Sequence, residues 1–170
     1  MRAPWIALPS LLLLQGCAGL DPAEMYRAAA RSLEFRIEAV RPRLDFQFPL
    51  DRSGLVVGID LGIRNPSGVR LLARSLGGRI HLDQGGTSFP LGDIGFPAGA
   101  DLAAQSSRTL QAELRLPYRE LKAAWSVLQD AVLHQRLAKW RLEGKATVEV
   151  LGVPFDLPLR ASKETGSARP

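Results

Sequence analysis

The sequence predicts a mainly β protein, an antiparallel sandwich of about seven strands with one helix near the C-terminal side. Three observations predict it. Apolar residues recur at every second position through most of the chain, the period of a half-buried strand. Clusters of glycine, proline and asparagine punctuate these runs at strand-length intervals. A single long stretch switches to helical spacing, and there is no βαβ alternation.

The first element is expected to lie outside the folded domain. Met1 and Arg2 precede an apolar run from Ala3 to Leu14, broken by Pro4 and Pro9. A spanning helix needs roughly 20 apolar residues, whereas a secretory signal core needs about 7–15. The run ends Leu14-Gln15-Gly16-Cys17, which resembles a bacterial lipobox, with Gln15 departing from the usual small residue. Residues 1–16 are therefore expected to be a lipoprotein signal peptide, and Cys17 the lipidated residue. The expected location is the cell envelope. Ala18 in place of aspartate favours the outer membrane, facing the periplasm. Removing the signal leaves about 154 residues, one domain by length. Cys17 is the only cysteine of the chain, so no disulfide or thiolate metal site is available within it.

Residues 17–32 are expected to be a lipid-anchored tether or a short helix. Asp21-Pro22 with Glu24 three positions after Asp21 is a helix-start signature. From residue 33 the period is two. Phe35, Ile37 and Ala39 face one way in the first strand. Leu55, Val57, Ile59, Leu61 and Ile63 do so in the second, with Asp60 on the outward side as a surface charge. That strand ends at Asn65-Pro66-Ser67-Gly68, a turn in which the Asn65 side chain bonds its own loop and Pro66 fixes φ. Residues 69–86 read as two short strands bent at Gly77-Gly78. Residues 87–105 read as loops and one short strand. Leu110, Ala112, Leu114 and Leu116 define the next strand. Leu121, Ala124, Trp125, Leu128 and Val132 then fall at helical spacing after Pro117, predicting a helix over 118–134. Trp140, Leu142, Ala146, Val148 and Val150 restore the strand period. Phe155, Leu157 and Leu159 give the last strand, and 162–170 is expected to be a disordered tail.

The order of these elements resembles the late-embryogenesis-abundant type 2 family, including its water-stress-and-hypersensitive-response (WHy) domain. The resemblance spans residues 33–161. It rests on Asn65-Pro66, on the Pro97-Ala98-Gly99 turn before a long alternating strand, and on Gly144 followed by Leu151-Gly152-Val153-Pro154-Phe155. It implies a fibronectin-III-like sandwich, export or lipid anchoring in bacterial members, and a link to desiccation and other water stress.

The residues offer little for catalysis. The chain holds 22 Lys and Arg against 17 Asp and Glu, a net charge of +5. The cations alternate with acids along strands, as in "RTLQAELR", and form no phosphate-tracking stripe, so nucleic-acid binding is not expected. His81 and His134 lie far apart without a second histidine at metal spacing, so no metal is expected. Asp60 and Asp83 would serve acid–base chemistry only if they converged. No cofactor motif occurs: the glycines of "SLGG" and "DQGG" read as hairpin residues. The expected function is a non-enzymatic envelope lipoprotein, structural or protective in water stress, its partner the membrane through Cys17. The alternative is a lipid- or apolar-ligand-binding module with a groove lined by Leu121, Trp125 and Leu128. A third reading is an assembly subunit that pairs through an exposed strand edge.

Overall fold

The computed structural model describes residues 22–45, 47–49, 52–121 and 125–166, and for Leu121 and Trp125 the backbone alone. The signal segment, Leu14, Gln15, Gly16, Cys17 and the expected cap Asp21 lie outside the described residues. The elements run α1 (Pro22–Arg31), β1 (Glu34–Asp45), β2 (Gly54–Asn65), β3 (Leu71–Gln84), β4 (Thr87–Phe96), β5 (Ala100–Leu102), β6 (Ser106–Pro117), α2 (Tyr118–Leu121), α3 (Trp125–Leu128), a π-helical turn (Gln129–Leu133), β7 (Ala138–Val150) and β8 (Val153–Thr165).

The eight described strands form two antiparallel sheets. One has the order β1-β2-β6. The other has the order β4-β3-β7-β8, with β5 continuing the β4 edge of β3. β1 lies against β8 and β6 against β4, which closes the sandwich along both sides. This is the layered architecture that the alternating pattern predicts.

The core comes from the inward residues of the three central strands. Leu55, Val57, Ile59 and Leu61 of β2, Ile80 and Leu82 of β3, and Leu142, Ala146 and Val148 of β7 are all 0 % exposed, which leaves no water-sized void against them. Full burial of such side chains contributes about 1.5–3 kcal/mol each.

Several elements differ from the sequence expectation. A bulge between Ile37 and Ala39 adds a residue to β1, so Val40 and Leu44, not Ala39, continue the core face. Residues 71–84 are one strand that runs straight through Gly77-Gly78. The glycines serve close approach, not bending: Gly78 pairs with Gly144, and a Cβ at Gly144 would run into the Gly77 carbonyl oxygen and the Gly78 Cα. Within 87–105, expected as loops and one short strand, residues 87–96 form the ten-residue strand β4 and 100–102 the short strand β5. The β3–β4 hairpin turns on Gly85 and Gly86 at φ +58° and +82°, as the "DQGG" reading expects. Within the helix expected over 118–134, the described residues are α-helical at 118–121 and 125–128 and π-helical at 129–133. β8 runs to Thr165, into the segment expected as a disordered tail, because 161–165 pair with 138–142. Residues 22–31 form the short helix, one of the two expectations for 17–32, and it packs on the domain, with Ala29 and Ala30 buried in the core.

Prolines follow a rule across the strands. The edge strands carry them: Pro42 in β1, Pro90 in β4, Pro117 in β6, Pro154 and Pro158 in β8. The central strands β2, β3 and β7 carry none. Proline fits a strand only where its nitrogen turns away from the neighbour, so it marks an edge.

Candidate functional site

The turn after β2 is the most connected polar site. Asn65 is completely buried. Its Nδ2 donates to the carbonyl oxygens of Val69 (2.8 Å), Ala103 (2.9 Å) and Leu102 (3.2 Å). Its Oδ1 accepts from the Ser67 amide (3.1 Å) and hydroxyl (2.7 Å). The bonds to Ser67 are the local turn that the sequence predicts. The bonds to Leu102 and Ala103 go further, since they tie the β2–β3 turn to the β5–β6 connection 37–38 residues away. Every polar atom of this side chain is used within the fold, so Asn65 acts as a staple.

Asp60 faces outward from β2, as alternation predicts, but it is not a free surface charge. Its side chain is 13 % exposed and is gripped by Arg41, with Nη1 to Oδ2 at 2.6 Å. The arginine hydrogen bond holds the Asp60 carboxyl below the ordinary aspartate range. Around it, Gly58 and Gly62 leave the middle of the sheet low. Side chains from β1 and β6 therefore meet over β2: Glu38 accepts from Thr109 Oγ1 (2.7 Å), Arg43 reaches Glu113 (3.4 Å), and Arg115 pairs with Asp45. A Cβ at Gly62 would strike the Glu38 side chain.

Asp83 lies in the other sheet. Burial pushes its carboxyl up, but hydrogen bonds from Ser88 and Arg141 outweigh this and hold it below the usual range. Arg141 Nε lies 3.0 Å from Asp83 Oδ2, and Nη1 lies 2.5 Å from Glu143 Oε1. The register sets Asp93, Arg79, Glu143 and Arg160 side by side across four strands, alternating in sign. Asp60 and Asp83 thus do not converge. Each is an ionised partner of its own arginine, unsuited to hold a proton near neutrality.

His81 stands on β3 opposite Pro90 and Arg141. His134 follows the π turn and is exposed. No group of three or more metal-ligating side chains occurs among the described residues. Among the expected groove residues, Leu128 is buried in the main core at 1 % exposure. α2 packs on β2 and β6, and the side chains of Leu121 and Trp125 lie outside the described residues. Three surface depressions, of about 270, 360 and 390 Å³, are lined mostly by charged and polar side chains, among them Glu38, Arg141 and Arg41 respectively. None of the described helices is long and apolar enough to cross a membrane.

Sequence reasoning missed two features. Trp140 Nε1 donates to Thr165 Oγ1 at 2.8 Å, anchoring the end of β8; the two residues lie 25 positions apart, and only the β7–β8 pairing brings them together. The glycines at 58 and 62, every second outward position of β2, signalled that flanking side chains would cross the strand.

No family model matches the chain, and no curated protein matches it. Solved structures do resemble it. AT1g01470 from Arabidopsis thaliana is 14 % identical with a TM-score of 0.46, over 79 % of this chain and 78 % of that one. A protein from Archaeoglobus fulgidus is 16 % identical with a TM-score of 0.43, over 78 % and 98 %. A protein described as late embryogenesis abundant, At2g46140.1, is 17 % identical with a TM-score of 0.42, over 87 % and 80 %. At these identities and TM-scores the likenesses carry no functional argument.

Proposed function

We propose that the chain is a non-enzymatic envelope lipoprotein of the late-embryogenesis-abundant type 2 kind, tethered to the membrane through Cys17 and structural or protective under water stress. The observation that carries this reading is the pairing of charge on both outer faces over a core with no water-sized void at its central residues. Such faces are strongly hydrated and nearly neutral locally, so they favour weak, many-point contacts with polar surfaces over one tight ligand. The two aspartates that catalysis would draw on are already occupied by arginines. The lipobox-like residues 14–17 support the tether. An acyl chain contributes about 0.8 kcal/mol per buried CH₂, and stable anchoring takes two chains.

The test is a drying assay on the mature protein with a desiccation-labile enzyme. Recovery after rehydration should rise with the chain and fall back with a charge-stripped variant carrying Arg41→Gln, Arg79→Gln and Arg141→Gln. In parallel, Cys17→Ser should move the protein from the membrane to the soluble fraction. No gain in recovery, or a bound lipid retained in native mass spectrometry of the unlipidated chain, would shift the assignment to a ligand-binding module.

A further inference from the structure

The β7–β8 hairpin turns on Leu151 and Gly152, at φ +50° and +83°. Glycine takes this conformation freely. Leucine does not, because its Cβ crowds the backbone in the left-handed region, and asparagine or glycine ordinarily stands first in such a two-residue hairpin. Burial does not offset the misfit: Leu151 is 78 % exposed, and Val153 beside it is 52 % exposed. Two aliphatic side chains thus stand in water on a strained tip. They belong to the Leu151–Phe155 stretch that the sequence singles out, and neither the core nor the Asn65 staple uses them.

The size of the tip decides what would cover it. A specific protein interface needs about 1,000 Å² or more of buried surface, far beyond two side chains on one turn. A lipid interface needs no matching contour and takes up single apolar groups by their area alone. The charge beside the tip is compatible with anionic headgroups. Glu149, directly opposite Pro154, is held by Arg74 Nε at 2.6 Å, so no free carboxylate of that pair repels the surface.

We propose that the β7–β8 tip, Leu151 with Val153, is a lipid-contacting wedge that seats this end of the sandwich on a membrane. The placement rests on the tether reading and is separable from it by experiment. Full-length protein is extracted from bacterial membranes and reconstituted into vesicles of phosphatidylethanolamine and phosphatidylglycerol that contain lipids brominated in the acyl chains. A fluorophore is attached to Val153→Cys, and in a second sample to Phe48→Cys. Phe48 is 93 % exposed and lies at the opposite end, beyond the Asp45–Gly54 pair. The Val153 label should be quenched and the Phe48 label should stay in water. Leu151→Asn, added to the Val153→Cys chain, should shift the tip toward water by about tenfold. It should also raise the unfolding midpoint, since asparagine accepts this φ. A merely structural leucine would not give these opposite signs. A Val153 label that stays in water on co-floating vesicles, or quenching at Phe48 alone, overturns the wedge. The tether is read separately from the parent chain: a Cys17 thiol open to the fluorophore refutes it, while a quenched Val153 label still upholds the wedge.

Discussion

Replacing Asn65 by alanine should be among the most damaging single changes at a polar position of this protein. The substitution removes donors from three carbonyl oxygens and an acceptor from the Ser67 amide and hydroxyl. Each net hydrogen bond is worth about 1 kcal/mol, and each buried group left without a partner costs about 1–3 kcal/mol more. The Leu102 carbonyl lies in the buried part of this network, whereas the turn carbonyls can partly recover water. The expected loss is about 3–5 kcal/mol, a large share of a typical stability of about 5–15 kcal/mol. Urea unfolding followed by far-ultraviolet circular dichroism measures it, with the m-value as a check that the folded state is unchanged. Asn65→Asp separates shape from donation. It keeps the volume but turns an oxygen toward the three carbonyls, so near neutral pH it should be at least as destabilising as alanine. A loss under about 1 kcal/mol for Asn65→Ala would refute the reasoning, because solvent or a shifted loop would then be satisfying those carbonyls.

Three further outcomes follow from the geometry. Gly144→Ala should cost about 2 kcal/mol or more, because the added Cβ meets backbone of β3 that cannot rotate away; thermal unfolding beside a Gly68→Ala control, at an open site, tests this. Trp140→Phe and Thr165→Val should each lose about 1 kcal/mol, with a double-mutant coupling of at least 0.5 kcal/mol, and both should speed hydrogen exchange at the end of β8. Asp60 titrates below the ordinary aspartate value of 3.8, so its contribution is fully present above that value and is lost as pH falls through the depressed folded-state pKa. Asp60→Asn should therefore flatten the acid limb of the stability profile in that window, measured as unfolding midpoint against pH.

Strand existence was legible wherever one face is apolar and the other polar. β2, β6 and β7 carry the apolar side of that signal, broken at Gly144 in β7, and their predicted inward residues are the inward residues observed. The signal failed where local chemistry competes with it. In β4 the glycines and Pro90 resemble loop composition, and only pairing with β3 makes the strand. In β1 the bulge at residue 38 reverses the phase, which alternation cannot foresee. Gly77-Gly78 looks like a bend until Gly144 is placed opposite, since the reason for the glycines lies nearly 70 residues away in β7. For the candidate site, the Asn65 turn was half legible: its bonds to Ser67 are local, while those to Leu102 and Ala103 depend on how the two sheets are joined.

The placement of prolines has a consequence for a molecule that loses its solvent. As water leaves, copies of a protein are driven together until sheet margins meet, and an open margin then recruits another strand and seeds a fibril. Each margin of this sandwich has at least one position with no amide hydrogen to offer a newcomer. At those positions an added strand finds no amide hydrogen to pair with, so each margin is interrupted as a template for further strands.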